Sequence, residues 1–301
     1  FLLTMYRVLL YYKYVKIDNA KFLAEEHLEF CKSLNLRGRI LITPEGINGT
    51  CSGKFNRTEK YIEHMRLDPR FKDLWFKIDE VDGHVFKKMH VRYKDELVTF
   101  RFPEKIDPNV ISGVHLDPKD WLEKMREDDV IILDGRTDYE YDLGHFRNAI
   151  RPPVKSFREF PEWVEKEFSL YKDKKILTYC TGGVRCEKLS GYLLKKGFSE
   201  VYQLNGGIVN YSKDPEVKGK LFDGKCYVFD GRISIPVNFA DEYTLTGRCL
   251  HCGTPTDRYV NCANIDCHKQ HFECEKCEEK WARSCSEECM QAPRHEILQN
   301  T

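Results

Sequence analysis

The chain of 301 residues contains no apolar run that approaches the ~20 residues of a membrane-spanning helix. It also has no net charge, because 48 lysines and arginines balance 48 aspartates and glutamates. Before residue 249 it has only five cysteines. The lack of a long apolar run excludes membrane-spanning helices. The lack of net positive charge gives no support to a general nucleic-acid binder. The small number of cysteines before residue 249 argues against a secreted fold held by disulfides throughout.

Strand and helix patterns divide the chain into three predicted domains of an α/β protein. Residues 1–105 follow the order β-α-β-β-α-β of a ferredoxin-like split βαβ domain, with a sharp turn at Pro44–Gly49 that is either a nucleotide contact or only a hairpin. Asn56 or Thr58 is expected to cap its second helix. Residues 106–240 alternate strands and helices, which predicts a parallel sheet with helices on both faces. Residues 241–301 form a small cysteine-rich domain.

The stretch ILTYCTGGVRCEKLSG, residues 176–191, places a thiol where a strand ends and a helix is about to begin. The apolar run before Cys180 predicts the strand, and Gly182 and Gly183 permit a tight loop. Loop amides, the helix N-terminus and Arg185 all favour the thiolate form of Cys180. We therefore predict that Cys180 is a reactive nucleophile, and the alternative is a buried, inert cysteine.

Three stretches within roughly residues 111–215, LDGRTDYEYDLGHFRNAI, YCTGGVRC and GFSEVYQLNGGI, resemble the signature stretches of a rhodanese domain. The resemblance implies that the loop cradles a persulfide or another small oxoanion-like group. Rhodanese-fold phosphatases have one more residue in this loop, so its length argues against phosphatase chemistry. The six loop residues are Cys180, Thr181, Gly182, Gly183, Val184 and Arg185. The framework residues expected to brace the loop are Asp134, Arg136, Glu140 and His145.

Together with GRILITPEGINGTCSG in the first domain and the cysteine-rich tail, these stretches resemble the rhodanese-type tRNA uridine 5-hydroxylases over nearly the whole chain. The resemblance implies a cytoplasmic enzyme that uses molecular oxygen to hydroxylate the wobble uridine of certain tRNAs, with Cys180 essential. No obligate protein partner is evident from the sequence. One alternative is a sulfurtransferase that carries a persulfide on Cys180. Another is a non-enzymatic RNA-binding or scaffold protein with a vestigial rhodanese module.

The sequence predicts no nucleotide or flavin cofactor, because it contains neither a dinucleotide-binding glycine motif nor a flavin signature, and no iron-ligand grouping lies near Cys180. A persulfide, a sulfenate or a covalent adduct to the uracil ring would each suit a thiolate. Cys186 is either a resolving thiol for an oxidised Cys180 or a small core residue. Arg185 either stabilises the thiolate and holds a phosphate or uracil oxygen, or braces the loop with Asp134 as its partner.

A cationic stripe is predicted in the first domain. In the stretch FKKMHVRYKDE, strand alternation places Lys88, His90, Arg92 and Lys94 on one face. Such a stripe suits contact with tRNA phosphates, and the alternative is an ordinary solvated strand face.

Eight of the 13 cysteines lie in the last 53 residues and form four close pairs. Four pairs suffice for two tetrahedral zinc sites of a structural kind, whereas disulfides are the alternative; a reducing compartment favours zinc. The pairs are Cys249/Cys252, Cys262/Cys267, Cys274/Cys277 and Cys285/Cys289, with His251, His268 and His271 as spare ligands. Interleaved pairing would join the first pair to the third and the second to the fourth, and sequential pairing would join neighbours.

Overall fold

A computed structural model of the chain describes residues 5–240 and 243–297. The first domain is a five-stranded sheet with strand order β4-β1-β3-β2-β5, in which the first four strands are antiparallel and β5 lies parallel to β2. Its elements are β1 (Tyr6–Tyr14), α1 (Ala20–Ser33), β2 (Arg37–Thr43), β3 (Gly46–Lys54), α2 (Phe55–Leu67), β4 (Lys77–Val81) and β5 (Met89–Tyr93). The order of β1 to β4 confirms the ferredoxin-like prediction.

Two local predictions in this domain are wrong. The turn expected at Pro44–Gly49 is shorter, because β3 already begins at Gly46 and pairs with β2 from there. Helix α2 follows Lys54 directly and has no side-chain cap, whereas Asn56 or Thr58 had been expected to cap it. The Thr58 hydroxyl instead accepts a hydrogen bond from Arg7 of β1 at 3.0 Å, so a tertiary contact uses it.

The two faces of the first sheet have different neighbours. Leu9 and Tyr11 of β1 are fully buried in a core that includes residues of α1 and α2. Strand alternation turns Leu10 and Tyr12 to the opposite face. That face meets the second domain, as described below.

The second domain confirms the predicted parallel sheet, with strand order β6-β10-β9-β7. Its elements are β6 (Val114–Leu116), α3 (Pro118–Lys124), β7 (Val130–Asp134), α4 (Asp138–Leu143), β8 (Gly144–Phe146), α5 (Phe160–Trp163), β9 (Lys175–Tyr179), α6 (Val184–Lys195), β10 (Glu200–Leu204) and α7 (Gly207–Lys213). Ile176 packs in a core with α6, whereas the next residue, Leu177, packs in a second core with α3 and α7. Helices therefore cover both faces.

A further antiparallel sheet, which the sequence patterns do not predict, follows the last helix of this domain. Strand β11 (Phe222–Tyr227) pairs with both β8 and β12 (Ser234–Pro236). The segment between β11 and β12 brings Phe229 to the Cys180 loop, where the Arg185 guanidinium lies 5.9 Å from the centre of its ring.

The cysteine-rich tail contains little regular structure. Its elements are β13 (Tyr259–Asn261), β14 (Gln270–Phe272), α8 (Glu275–Trp281) and α9 (Glu287–Met290). Residues 241 and 242, at the predicted start of this domain, lie outside the described residues, so the boundary at 240/241 stays a prediction like the one at 105/106. Within residues 5–240 and 243–297, no helix has the length and apolar character needed to cross a membrane.

Candidate active site

Cys180 lies in the loop between β9 and α6, at the carboxyl edge of the parallel sheet. Its side chain is buried, with 1% of the residue exposed. The backbone amide of Gly183 donates a hydrogen bond to the Cys180 sulfur at 3.2 Å. Gly183 adopts φ +106°, which favours glycine, and a Cβ there would lie 2.7 Å from the Tyr12 hydroxyl. The glycine pair thus allows the loop to turn its amide toward the sulfur.

The turn after β10 is hydrogen-bonded to the backbone of the Cys180 loop. Ile208 and Val209 donate backbone hydrogen bonds to the carbonyl oxygens of Cys180 and Thr181, at 3.0 and 3.1 Å. Gly207 has φ +69°, and a Cβ on it would lie 2.5 Å from the Cys180 oxygen. The NGGI stretch at residues 205–208 therefore has a physical role, because only glycine at position 207 allows this turn to lie so close to the backbone of the Cys180 loop.

The surroundings of Cys180 favour the thiolate. Burial raises the pKa of this thiol, but hydrogen bonds from Cys186 and the positive charge of Arg185 outweigh burial and lower it to about 5. Burial raises the pKa of Cys186 well above its ordinary value, and the neighbouring Cys180 raises it further. The Cys186 sulfur also lies 3.6 Å from the Thr178 hydroxyl. The site therefore holds one ionised thiol beside one neutral thiol.

The expected pairing of Arg185 with Asp134 is wrong. Two guanidinium nitrogens of Arg185 donate to the carboxylate of Glu140 at 2.7 and 2.9 Å. Asp134 is instead occupied by Arg136, at 2.7 Å, and by the Tyr179 hydroxyl, at 2.6 Å. Burial raises the pKa of Glu140, but the charge and hydrogen bonds of Arg185 prevail and lower it to about 2. The Arg185–Glu140 pair is thus ionised throughout the physiological range.

The other framework residues have distinct places. Arg136 also donates to the Gly144 carbonyl at 2.6 Å, so it ties the end of β7 to β8. The His145 ring stacks on the Tyr141 ring at a centroid distance of 3.8 Å and is hydrogen-bonded to the Tyr141 carbonyl at 2.9 Å. Glu140 therefore contacts the Cys180 loop through Arg185, whereas Arg136 and His145 form contacts behind it.

A cavity of about 530 Å³ opens beside Cys180, between the loop and the first sheet. One part of its lining is apolar, and another part is cationic. The apolar residues include Leu10, Leu41, Val98, Phe157 and Phe229. The cationic residues are Arg39, Lys94, Arg158 and Arg185. The apolar part of the lining is complementary to a flat ring, and the cationic part is complementary to an anionic substituent on that ring.

Strand β1 of the first domain packs against the Cys180 loop and helix α6. The Tyr12 hydroxyl donates to Glu187 of α6 at 2.8 Å, and the Tyr14 hydroxyl donates to the Val184 carbonyl at 3.1 Å. Leu10 packs against Gly182, where a Cβ would lie 3.2 Å from the leucine side chain. The sequence analysis did not identify these residues. Large side chains at successive positions of β1 were a possible signal, since they indicate that both faces of the first sheet are covered.

The Pro44–Glu45 turn also joins the two domains. The Glu45 carboxylate lies 2.7 Å from the ammonium group of Lys188, which is buried on α6. It also accepts a hydrogen bond from the backbone amide of Leu97 in the connection between the domains. The structure shows that this turn closes the β2–β3 hairpin and that its acidic side chain anchors the second domain.

Lys77 is a further residue that sequence reasoning missed. It is buried, with its ammonium group 4.5 Å from the centre of the Trp75 ring and 5.1 Å from that of Tyr12. Burial lowers its pKa to about 8, and the negative charge of Cys180 opposes this shift. Lys77 therefore supplies a second positive charge to the surroundings of the thiolate, from the first domain.

The predicted cationic stripe lies along edge strand β5, with Lys88 and Lys94 just outside its two ends. Lys88, His90, Arg92 and Lys94 are all exposed, and they flank the buried Val91. In the register with β2, His90 lies beside Arg39, and Lys94 and Arg39 both line the cavity. The stripe therefore follows the edge of the first sheet, and its last residue, Lys94, lines the cavity next to Cys180.

The eight tail cysteines form two groups, each with its four sulfurs within 4.8 Å of one another and able to hold a metal ion. The pairing is the interleaved one. One group is Cys249, Cys252, Cys274 and Cys277, and the other is Cys262, Cys267, Cys285 and Cys289. No disulfide links the cysteines, all of which fall within the described ranges.

Known protein families match in three consecutive parts of the chain. The profile of the UPF0176 acylphosphatase like domain matches residues 6–97, that of the Rhodanese-like domain matches residues 118–214, and that of the Rhodanase C-terminal matches residues 223–290. These matches follow the order of the two sheets and the cysteine-rich tail.

Curated proteins called tRNA uridine(34) hydroxylase are similar over nearly the full chain. The protein from Bacillus licheniformis is 58% identical over 96% of this chain and 90% of its own length. Those from Bacillus velezensis and Bacillus cereus are 58% and 56% identical, over 94% and 97% of this chain and 88% and 92% of their own lengths. With more than half of the residues shared over this extent, the chain belongs to the tRNA uridine(34) hydroxylase family.

Proposed function

We propose that this protein hydroxylates the wobble uridine of tRNA at carbon 5, with molecular oxygen as co-substrate and Cys180 as the essential thiolate. The observation that carries the proposal is the ionised Cys180 sulfur beside a cavity of about 530 Å³ with apolar and cationic walls. Ligand pockets commonly measure roughly 300–1,000 Å³, so a nucleotide base fits this size. The names of the relatives supply the substrate and the reaction class.

The surroundings of Cys180 support the following roles for its neighbours. The Gly183 amide and the charge of Arg185 hold the sulfur as a thiolate, and Glu140 orients Arg185. A thiolate can add to carbon 6 of a uracil ring and so raise the electron density at carbon 5, the carbon that is hydroxylated. Transfer of one oxygen atom from O₂ also requires two further electrons. While Cys180 is bound to carbon 6, the neutral Cys186 would take the distal oxygen of a hydroperoxide at carbon 5 and become a sulfenic acid. Release of Cys180 from carbon 6 with loss of the carbon-5 proton would then give 5-hydroxyuridine. Cys180 would condense with the sulfenic acid to a disulfide and water, and a cellular dithiol must reduce that disulfide before the next turnover.

The proposal extends to the tRNA-binding surface. The cationic stripe Lys88, His90, Arg92 and Lys94 is suited to the phosphates that flank the base in the cavity. A cytoplasmic location follows from the proposed substrate and from the free thiols that the site needs.

We further propose that each cysteine group in the tail holds one structural zinc ion. Sulfur–sulfur separations of 3.7 Å for Cys252–Cys274 and 3.6 Å for Cys267–Cys285 support this assignment. A tetrahedral site with Zn–S bonds of about 2.3 Å has sulfurs about 3.8 Å apart. All four ligands of each site are cysteines, so no position remains for a substrate and the role is structural.

Nucleoside analysis of tRNA from cells that lack the gene tests the function. We expect the 5-hydroxyuridine-derived wobble bases to disappear, to return with the wild-type gene, and to stay absent with Cys180→Ser. The control is Cys31→Ser, which changes a buried thiol in the first domain. Loss of a thiolated base instead would favour the sulfurtransferase, and unchanged nucleosides would favour a non-enzymatic role.

A further inference from the structure

The tail contains a third cluster of metal-ligating side chains, separate from the two cysteine groups. His251, His271 and Glu273 each offer one ligand atom within 4.8 Å of the others. His271 and Glu273 lie two residues apart at the end of β14, so strand alternation turns them to the same side. His251 comes from the turn between Cys249 and Cys252.

Two residues of the cluster, His271 and Glu273, are buried, and their polar side-chain atoms lack partners. Glu273 is fully buried and His271 is 5% exposed. Within the described part of the chain, neither carboxylate oxygen of Glu273 and neither ring nitrogen of His271 has a hydrogen-bond partner. Leaving four such atoms unsatisfied in one place is costly, which indicates that a group outside the protein chain satisfies them.

The separations between the ligand atoms fit a metal ion better than hydrogen bonds. A nitrogen of His251 lies 3.4 Å from one Glu273 oxygen, and a nitrogen of His271 lies 3.7 Å from the other. These distances exceed those of normal hydrogen bonds. With metal–ligand bonds of about 2.0–2.1 Å, tetrahedral geometry places neighbouring ligand atoms about 3.3 Å apart.

Nearby cations do not neutralise the carboxylate. Arg258 and Arg283 act on Glu273 electrostatically, but their guanidinium groups pair with Glu278 and Glu296. The His251 ring stacks on Trp281 at 4.2 Å, which fixes the plane of the ring. Its Nε2, the nitrogen that lies 3.4 Å from Glu273, is also 3.0 Å from the Ser284 carbonyl oxygen, so a metal bound at Nε2 would replace that hydrogen bond. The cluster therefore consists of one unneutralised carboxylate and two imidazoles, one of them oriented by its neighbours.

We propose that His251, His271 and Glu273 form a third metal site, for a divalent zinc or ferrous ion that retains at least one open coordination position. Two histidines and one carboxylate bind both of these ions, and with only three protein ligands the site differs in kind from the closed cysteine sites. The proposal is independent of the hydroxylation reaction, since it concerns binding alone.

Metal counting on the full-length protein, purified anaerobically without chelator, tests the third site. We expect three divalent ions per chain in the wild type and in His268→Asn, which changes an exposed histidine of the same tail outside the cluster. We expect two in Glu273→Gln and in His271→Ala. Elemental analysis distinguishes zinc from iron at the third position, and either one supports the site.

Alkylation of the eight tail thiols shows whether each variant keeps its tail folded, since metal-bound cysteines are protected until a chelator is added. A variant with protected thiols and one ion fewer than the wild type supports the proposal. Two ions in the wild type, or a third ion that persists in both variants, would overturn it. Neither result depends on tRNA hydroxylation, so failure of this site and failure of the proposed function remain distinguishable.

Discussion

The Cys180 loop and the cysteine-rich tail use the same functional group in opposite ways. In the loop, one thiol is ionised by backbone amides and an arginine, and it faces a cavity. In the tail, eight thiols face one another in two groups of four, and the ligand set of each group is complete. A thiolate that binds no metal can act as a nucleophile, whereas a thiolate in a closed metal site donates its lone pair to the ion. The comparison predicts that hydrogen bonds and charge determine the reactivity of the loop thiol, whereas metal binding determines the stability of the tail.

The largest expected effect concerns metal removal from the tail. Structural zinc in small domains contributes roughly 10–16 kcal/mol of apparent binding free energy, and the tail has little core to replace it. We expect Cys277→Ser to lose the ion of its group and to make the tail sensitive to protease, while Cys180 keeps its alkylation rate. Elemental analysis and limited proteolysis measure this, with Cys31→Ser as control. A simultaneous loss of Cys180 reactivity would show that the two regions are not independent.

The second prediction concerns the pH dependence of the loop thiol. A pKa of about 5 for Cys180, lowered from 9.0, means that the thiolate persists well below neutral pH. We expect the alkylation rate of Cys180 to stay constant from pH 8 to about 6 and to fall to half at about pH 5. Mass spectrometry of the Cys180 peptide measures the rate at each pH. A midpoint near 8 or 9 would contradict the electrostatic account of the loop.

The third prediction concerns Arg185. Because Glu140 is fully buried, Arg185→Gln leaves an unpaired buried carboxylate, which costs about 3–5 kcal/mol of unfolding free energy. It should also raise the pKa of Cys180, since a positive charge is removed. The double variant Arg185→Gln with Glu140→Gln should recover most of the stability but not the low pKa. Denaturant unfolding and the alkylation profile separate these effects, and equal stability of the single and double variants would contradict the ion pair.

The fourth prediction concerns the contact between the first two domains. Glu45→Gln leaves the ammonium group of Lys188 with only the more distant Glu96, at 3.7 Å, as a counter-charge. We expect a loss of about 1–3 kcal/mol in unfolding free energy, the usual cost of an unsatisfied buried group. Thermal or denaturant unfolding measures it, and Glu25→Gln, on the exposed side of α1, is the matched control. A change no larger than that of the control would show that the turn is only a hairpin.

The smallest expected effect concerns the cationic stripe. Reversing Lys88 and Arg92 to glutamate should weaken tRNA binding and reduce the slope of log affinity against log salt by roughly 1–2. The alkylation rate of Cys180 should not change. The control reverses Lys21 and Lys60, exposed residues on the two helices of the first domain, and so changes the net charge equally. Equal salt slopes for the two double variants would identify the stripe as a solvated strand face.

Much of the fold and of the thiol chemistry follows from local sequence. The order of strands and helices predicts both sheets, because hydrophobic periodicity and turn residues act over a few positions. The glycine pair and arginine after Cys180 predict a thiolate loop for the same reason. The spacing of the eight tail cysteines predicts two metal-binding groups, but it leaves their pairing open. The interleaved pairing depends on how the tail folds back on itself.

Only the tertiary structure decided which distant residues complete each site. Tyr12 and Glu187 are 175 positions apart in the chain, and no periodicity connects them. Arg185 pairs with Glu140, whereas the carboxylate of Asp134 binds Arg136, two residues further along the chain. Local spacing determines which chemical groups are present and which elements carry them. Their partners are determined by burial, since a charge removed from water must find a counter-charge wherever the packed domains bring one within reach.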